Sequence, residues 1–193
     1  ALDMYEDDDK VMHINGYIPM GKGRTELKQT FFTRTMFCWG WATWKKAWKY
    51  YSSNSKELLQ NLQTRLDQSE FNYKGANDFE SQLMANSKGL MKTWAVKWGA
   101  SIFIAEGLCL SPKFSLVQNI GMDGSGVHYN SKDSKSKPQV IVQHDLSQIE
   151  RIPSRESPSD REYLTAQFLR SSKISLLMKI KGKLRLILKN QSI

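Results

Sequence analysis

The sequence predicts an α/β fold, α+β over the span given, in which a short mixed sheet packs with helices and a basic C-terminal tail follows. Short runs rich in β-branched and aromatic residues, Val11 to Ile14 and Thr30 to Met36, read as strands. Between and after them, apolar residues recur at spacings of three and four behind capping residues, which reads as helix. The bulk numbers agree: 193 residues with 40% hydrophobic and 11% aromatic content can bury a core.

In chain order, Leu2, Met4 and Tyr5 read as the end of a helix that starts earlier, with the acids after them as its solvated end. Four successive acids, Glu6 to Asp9, do not converge on one point, which disfavours a metal site there. The first strand stops at Asn15-Gly16, a turn pair. Gly21-Lys22-Gly23 is a loop, and Thr30 to Met36 is the second strand. Thr43 or a neighbour caps a helix that carries Trp44 and Trp48 on one face, a pair suited to the core. Asn54 with Glu57 forms a capping box ahead of Leu58, Leu59, Leu62 and Leu66. Asn77 with Glu80 repeats it ahead of Leu83 and Met84. A further helix runs from Thr93 to Glu106 with Gly107 as its stop, followed by short strands at 108–110 and 115–118. Asn130 to Gln139 reads as a mobile polar loop and Val140 to Val142 as an edge strand.

Three units follow: a body over 1–129, a loop and edge strand over 130–144, and a basic amphipathic tail over 145–193. The net charge of +9 is concentrated late, since no acid follows Glu162 while seven basic residues do. Leu177, Ile180 and Leu184 set a helical stripe among those bases, which suits either an anionic membrane surface or packing on the body. Nucleic acid is disfavoured as a partner, because the aromatics lie far from the bases in sequence. No apolar run approaches the roughly 20 residues of a membrane span. Two cysteines make no disulfide framework, so the reading is cytoplasmic, peripheral on the inner face of the membrane.

The residues that stand out chemically are four tryptophans in ten positions, Trp39 to Trp48. Trp39-Gly40-Trp41 is a poor core pattern. Its glycine lets a ligand approach the backbone, and indole faces suit the apolar face of a sugar ring or a nucleobase. The segment Cys38-Trp39-Gly40-Trp41-Ala42-Thr43-Trp44-Lys45 resembles the SWGWATWK segment of bacterial family 2 glycosyltransferases, which have the GT-A fold. Three further blocks agree in order: Ala1-Leu2 through Ile14-Asn15-Gly16-Tyr17, Thr93-Trp94-Ala95-Val96-Lys97-Trp98, and Leu110-Ser111-Pro112-Lys113 through Gly124-Ser125-Gly126-Val127-His128. The resemblance covers residues 1–129.

The resemblance implies the C-terminal, acceptor-side part of such an enzyme. Its metal- and diphosphate-binding acidic motif would precede residue 1, and the chain alone is expected to be inactive. The whole protein would transfer a sugar from a nucleotide-sugar donor to a glycan or lipid-linked glycan, with inversion and with Mg or Mn. It implies substrate contacts at Trp39, Gly40, Trp41, Trp94, Lys97, Trp98, Asp123 and His128, with His128 near the metal. Asp78, and after it Glu80, fit the carboxylate that takes the acceptor proton. Both also read as helix-start residues without catalysis, and Lys97 suits solvent as well as diphosphate. A non-catalytic carbohydrate-binding module is the alternative function, and an exposed sheet edge would favour a homodimer.

Overall fold

The structure is a computed structural model that describes residues 1–19, 29–119 and 149–170. It is a mixed α and β fold. Among the described residues a four-stranded sheet carries β1 (Val11–Asn15), β2 (Thr30–Thr33), β3 (Trp41–Ala42) and β4 (Leu108–Pro112) in the order β2-β4-β1-β3. The central pair β1 and β4 is parallel, and both edge pairings are antiparallel. The helices are α1 (Lys45–Trp48), α2 (Ser55–Gln63), α3 (Gln68–Phe71), α4 (Phe79–Ser87), α5 (Ala95–Ile104) and α6 (158–170). None of them is long and apolar enough to cross a membrane.

Both sheet faces are covered, so β4 is buried at every position. On one face Met12 and Cys109 pack with Trp98 and Ile102 of α5. On the other, Val11, Phe32, Leu108 and Leu110 pack around Tyr5. A second layer joins α2, α4 and α5 through Leu58, Leu62, Leu83, Val96 and Phe103. The far end of α5 is closed by cations: Arg34 donates to the Phe103 carbonyl at 2.8 Å and Arg65 to the Ile104 carbonyl at 3.1 Å. These are carbonyls that a helix C-terminus leaves without intrahelical partners. Asp67 holds both guanidiniums, at 2.8 and 2.7 Å.

Several local expectations hold. Asn54 accepts from the Glu57 amide and starts α2, and Leu58 and Leu62 are buried on it. Others shift for identifiable reasons. The second strand ends at Thr33 rather than Met36, because the Thr33 hydroxyl and the Thr35 backbone bond each other and turn the chain. Thr43 caps nothing; its hydroxyl donates to the Met12 carbonyl at 2.6 Å, and α1 begins behind Trp44. Leu66 lies beyond the end of α2 and is exposed. Residues 115–118 form no strand; they are held by the Leu116 amide on the Gly16 carbonyl at 2.8 Å.

The stop of α5 differs in mechanism. Glu106, not Gly107, takes the left-handed conformation at φ 58. The Gly107 amide reaches back to the Ile102 carbonyl and the Glu106 amide to Phe103, which is the Schellman arrangement. Gly107 is required for space, since a Cβ there would lie 2.2 Å from the Met12 sulfur.

The boundary expected at residue 145 also moves. The described part of that tail, 149–170, is built into the body. Leu164 is fully buried with Ile18, Phe31 and Tyr73. The Tyr5 hydroxyl accepts from the Ile152 amide at 2.8 Å, and Arg161 pairs with Glu70 and Glu156. The basic stripe over Lys173 to Lys189, the loop at Gly21 to Gly23, the loop over 130–139 and the strand over 140–142 lie outside the described residues.

Candidate functional site

The tryptophans do not act as a single loop; they meet across three elements. Trp41 of β3 lies 4.9 Å from Trp94, which precedes α5, and 5.8 Å from Trp48 of α1, measured between ring centroids. Trp48 stacks on Tyr51 at 4.7 Å with their planes 5° apart. Trp48 and Trp94 each remain 37% exposed, so the cluster presents indole surface to solvent. This is an aromatic platform, not core filling. Trp48 was expected in the core, and the structure places it at this surface instead. Trp44 does pack inward, against the Tyr5 cluster.

The platform rests on a polar support. Trp98 is fully buried, so its expected contact with substrate is replaced by a structural role beneath Trp48, 4.9 Å away. Its indole N–H donates to His13 Nδ1 at 3.2 Å. An indole nitrogen only donates, so His13 Nδ1 is an acceptor. His13 Nε2 therefore carries the proton and faces the Phe37 carbonyl at 3.3 Å. Burial pushes the imidazole down to about 4, against the opposing pull of its Phe37 and Asn15 hydrogen bonds. A neutral ring stacked under Trp41 at 5.4 Å follows. The register shift between Val11 and His13 helps produce this, since a bulge re-aims side chains.

Asn15 and the two glycines set the approach to the platform. The Asn15 side chain is buried, donating to the Thr35 carbonyl and the Ser111 hydroxyl and accepting from the Phe37 amide at 2.6 Å. It anchors the chain that leads into Trp39, rather than serving as a turn residue. A Cβ on Gly16 would lie 2.0 Å from the Gly40 carbonyl oxygen, and one on Gly40 would lie 2.4 Å from Val117. Gly40, at φ +55, is thus needed for close chain packing, where ligand approach was expected. Trp39 stands apart on Tyr17, 4.4 Å away.

The expected carboxylates sit at the start of α4. Asp78 is exposed and caps the helix, accepting from the Ser81 amide at 3.2 Å. Asn77, expected as the cap, instead accepts from the Asp78 amide at 2.8 Å. Glu80 is clamped by Gln68 and Asn72 at 3.1 and 3.3 Å. Among the described residues no hydrogen bond or ring contact joins either carboxylate to the platform. Lys97 is half-buried on α5. Asp123 and His128 lie outside the described residues.

Among the described residues no three His, Cys, Asp or Glu side chains converge as a metal site. The N-terminal acids are dispersed, Asp9 on Lys46 at 2.8 Å and Asp8 on Ser154 and the Lys10 amide. A cavity of about 180 Å³ lies between residues 34–38 and the helices, with Phe71, Phe79 and Phe103 on its walls. No tryptophan and no expected site residue lines it, and its charged residues Arg34, Glu70 and Arg161 are engaged in ion pairs. The platform is therefore the better site.

No family model, curated protein or solved structure matches the chain.

His13, Asn15, Trp48 and Tyr51 were not singled out for the site by their sequence context. Their roles arise from contacts such as His13 to Trp98, which are 85 positions apart. The visible signal was polar residues, His13 and Asn15, inside an otherwise apolar strand pattern.

Proposed function

We propose that the chain supplies the sugar-contacting, acceptor-side part of a nucleotide-sugar glycosyltransferase, with Trp41, Trp48 and Trp94 as the contact surface. The observation that carries the reading is the partly exposed indole platform on a neutral His13–Trp98 support. A flat apolar indole face matches the C–H face of a pyranose, and rigid rings lose little conformational entropy on binding. The four sequence blocks that resemble family 2 glycosyltransferases supply the reaction class.

In that reaction a carboxylate takes the proton of the acceptor hydroxyl, whose oxygen attacks the anomeric carbon. The bond from that carbon to the phosphate oxygen breaks, and the nucleoside diphosphate leaves with inversion. Asp78 is the proposed base and Glu80 the weaker choice, because Glu80 is held by two amide side chains. Asn caps a helix as well as Asp does but takes no proton. Asp78→Asn should therefore leave the unfolding midpoint within a degree or so of wild type and abolish transfer by the whole enzyme. Retained transfer rules Asp78 out as the base.

The proposed Mg or Mn ion would offset charge on the leaving diphosphate. Among the described residues no three His, Cys, Asp or Glu side chains form a site for it. The exposed platform by itself also fits a second reading, a carbohydrate-binding module that uses the same surface without a nucleotide. Calorimetric titration of the chain with soluble oligosaccharides tests what the two readings share. Binding that drops at least about tenfold in Trp48→Ala and Trp94→Ala supports the platform; unchanged affinity in both variants sinks it. Transfer from a nucleotide-sugar donor then separates enzyme from module.

A further inference from the structure

The segment between α4 and α5, residues 88–94, carries ahead of Trp94 a surface that the sugar reading does not use. Helix α4 ends in a Schellman arrangement: the Gly89 amide donates to the Asn86 carbonyl at 3.1 Å and the Leu90 amide to the Ala85 carbonyl at 2.9 Å. An apolar residue in the Leu90 position ordinarily folds back onto the residue in the Ala85 position. Here it does not, for Leu90 stays 80% exposed, followed by Met91 at 40%. A Cβ on Gly89 would meet nothing within 4 Å, so the tip stands clear of the body.

Exposure of these side chains does not come from a slack loop. The Met91 amide also donates to the Ala85 carbonyl at 3.2 Å. The Asn86 side chain accepts from the Thr93 amide and donates to the Gln82 carbonyl, both at 2.9 Å, clamping the two ends together. Two apolar tips are thus held outward by a pre-ordered backbone, which lowers the entropy lost on contact.

The charges around them have one sign. Lys88 and Lys92 flank Leu90 and Met91 and are exposed, and no acid occurs from residue 81 to 105. Among the described residues neither lysine has an acidic partner. Trp94 follows at the base of the loop, partly exposed. Apolar tips, flanking lysines and an indole beside them form the depth order of a membrane interface: tails, then headgroup level, then anionic charge. A second copy of the chain fits less well, because a self-paired loop would set lysine against lysine.

We propose that residues 88–94 form a membrane-contact loop that rests on an anionic lipid surface, with Leu90 and Met91 inserted and Lys88 and Lys92 on the headgroups. The loop adjoins the platform through Trp94, so a glycan presented at a lipid surface would arrive beside Trp41. The lipid contact does not depend on the sugar reading. Its test avoids the platform tryptophans, so either can fail alone.

The experiment is vesicle flotation of the full chain with phosphatidylcholine alone and with phosphatidylcholine–phosphatidylglycerol mixtures. Binding is expected only to the anionic vesicles. It should fall at least about tenfold in Leu90→Asp/Met91→Asp, and by a similar factor in Lys88→Glu/Lys92→Glu with loss of salt sensitivity. All four side chains are exposed, so unfolding midpoints should not move, and that control separates lost contact from lost fold. No flotation of the wild type overturns the proposal. So does flotation that both variants retain, which would place lipid binding elsewhere in the chain. A concentration-dependent dimer abolished by Leu90→Asp, without lipid binding, also overturns it.

Discussion

At the scale of single residues, His13 shows how a buried polar group takes on a task that its sequence context hides. Met12 and Ile14 on either side of it are apolar, and the hydrogen bonds that set its tautomer are to residues 24 and 85 positions away. Those bonds fix one neutral tautomer, and the consequence is measurable. In the unfolded chain His13 takes up a proton as pH falls below 6.5, whereas the folded ring resists until about 4. The unfolded state then binds more protons, so stability is intact above 6.5 and falls as pH drops through that window. The full loss is about 3 kcal/mol. Urea unfolding at a series of pH values checks this, with His13→Gln expected to flatten the slope between those limits.

Gly40 makes the second residue-scale argument. Gly40→Ala meets both a left-handed backbone and Val117, so it should lower stability by at least about 1–2 kcal/mol. Pairing it with Val117→Ala should recover the steric share but not the conformational share. Full recovery in a double-mutant cycle of thermal unfolding would show that backbone conformation contributes nothing there.

Between elements, what was legible depended on whether the deciding contact was local. The cap of α2 at Asn54 was readable because donor and acceptor are three positions apart. The cap of α4 lies one residue beyond the Asn77 that the sequence pattern favours, since Asn77 and Asp78 are both good caps and only the geometry assigns the role to Asp78. Asp78→Ala should cost about 1 kcal/mol. At the C-terminal end of α5, Gly107 signals the stop in the sequence, yet Glu106 supplies the left-handed turn. The arginines that close α5 come from Arg34 and Arg65, far away in sequence. Breaking that network with Arg34→Ala should destabilise the fold by about 3 kcal/mol in chemical denaturation, because Asp67 loses a partner and the Phe103 carbonyl keeps the Glu106 amide but loses its charged donor.

For the whole molecule, the mixed fold with a short sheet was legible from strand and helix patterning, but the extent of the body was not. Composition shifts near residue 145, which reads as a tail. Contacts spanning 147 positions, Tyr5 to Ile152, and the burial of Leu164 bring residues 149–170 into the core instead. Leu164→Ala should therefore cost about 2–4 kcal/mol, as for any core leucine, and a change near zero in thermal unfolding would return that helix to the status of a tail. The tryptophans were legible as unusual but not as a platform. Their sequence spacing does not reveal that Trp94 closes on Trp41 while Trp98 turns wholly inside.

The central claim is that Trp41, Trp48 and Trp94 meet sugar at the surface of this fold. Assigned indole N–H resonances, followed by NMR while soluble oligosaccharides are titrated in, test it most directly. Saturable shifts are expected at Trp48 and Trp94, with the Trp94 shift lost in Trp48→Ala and Trp44 unmoved. Shifts confined to Trp44, or no shift at any tryptophan across the oligosaccharides, would contradict it.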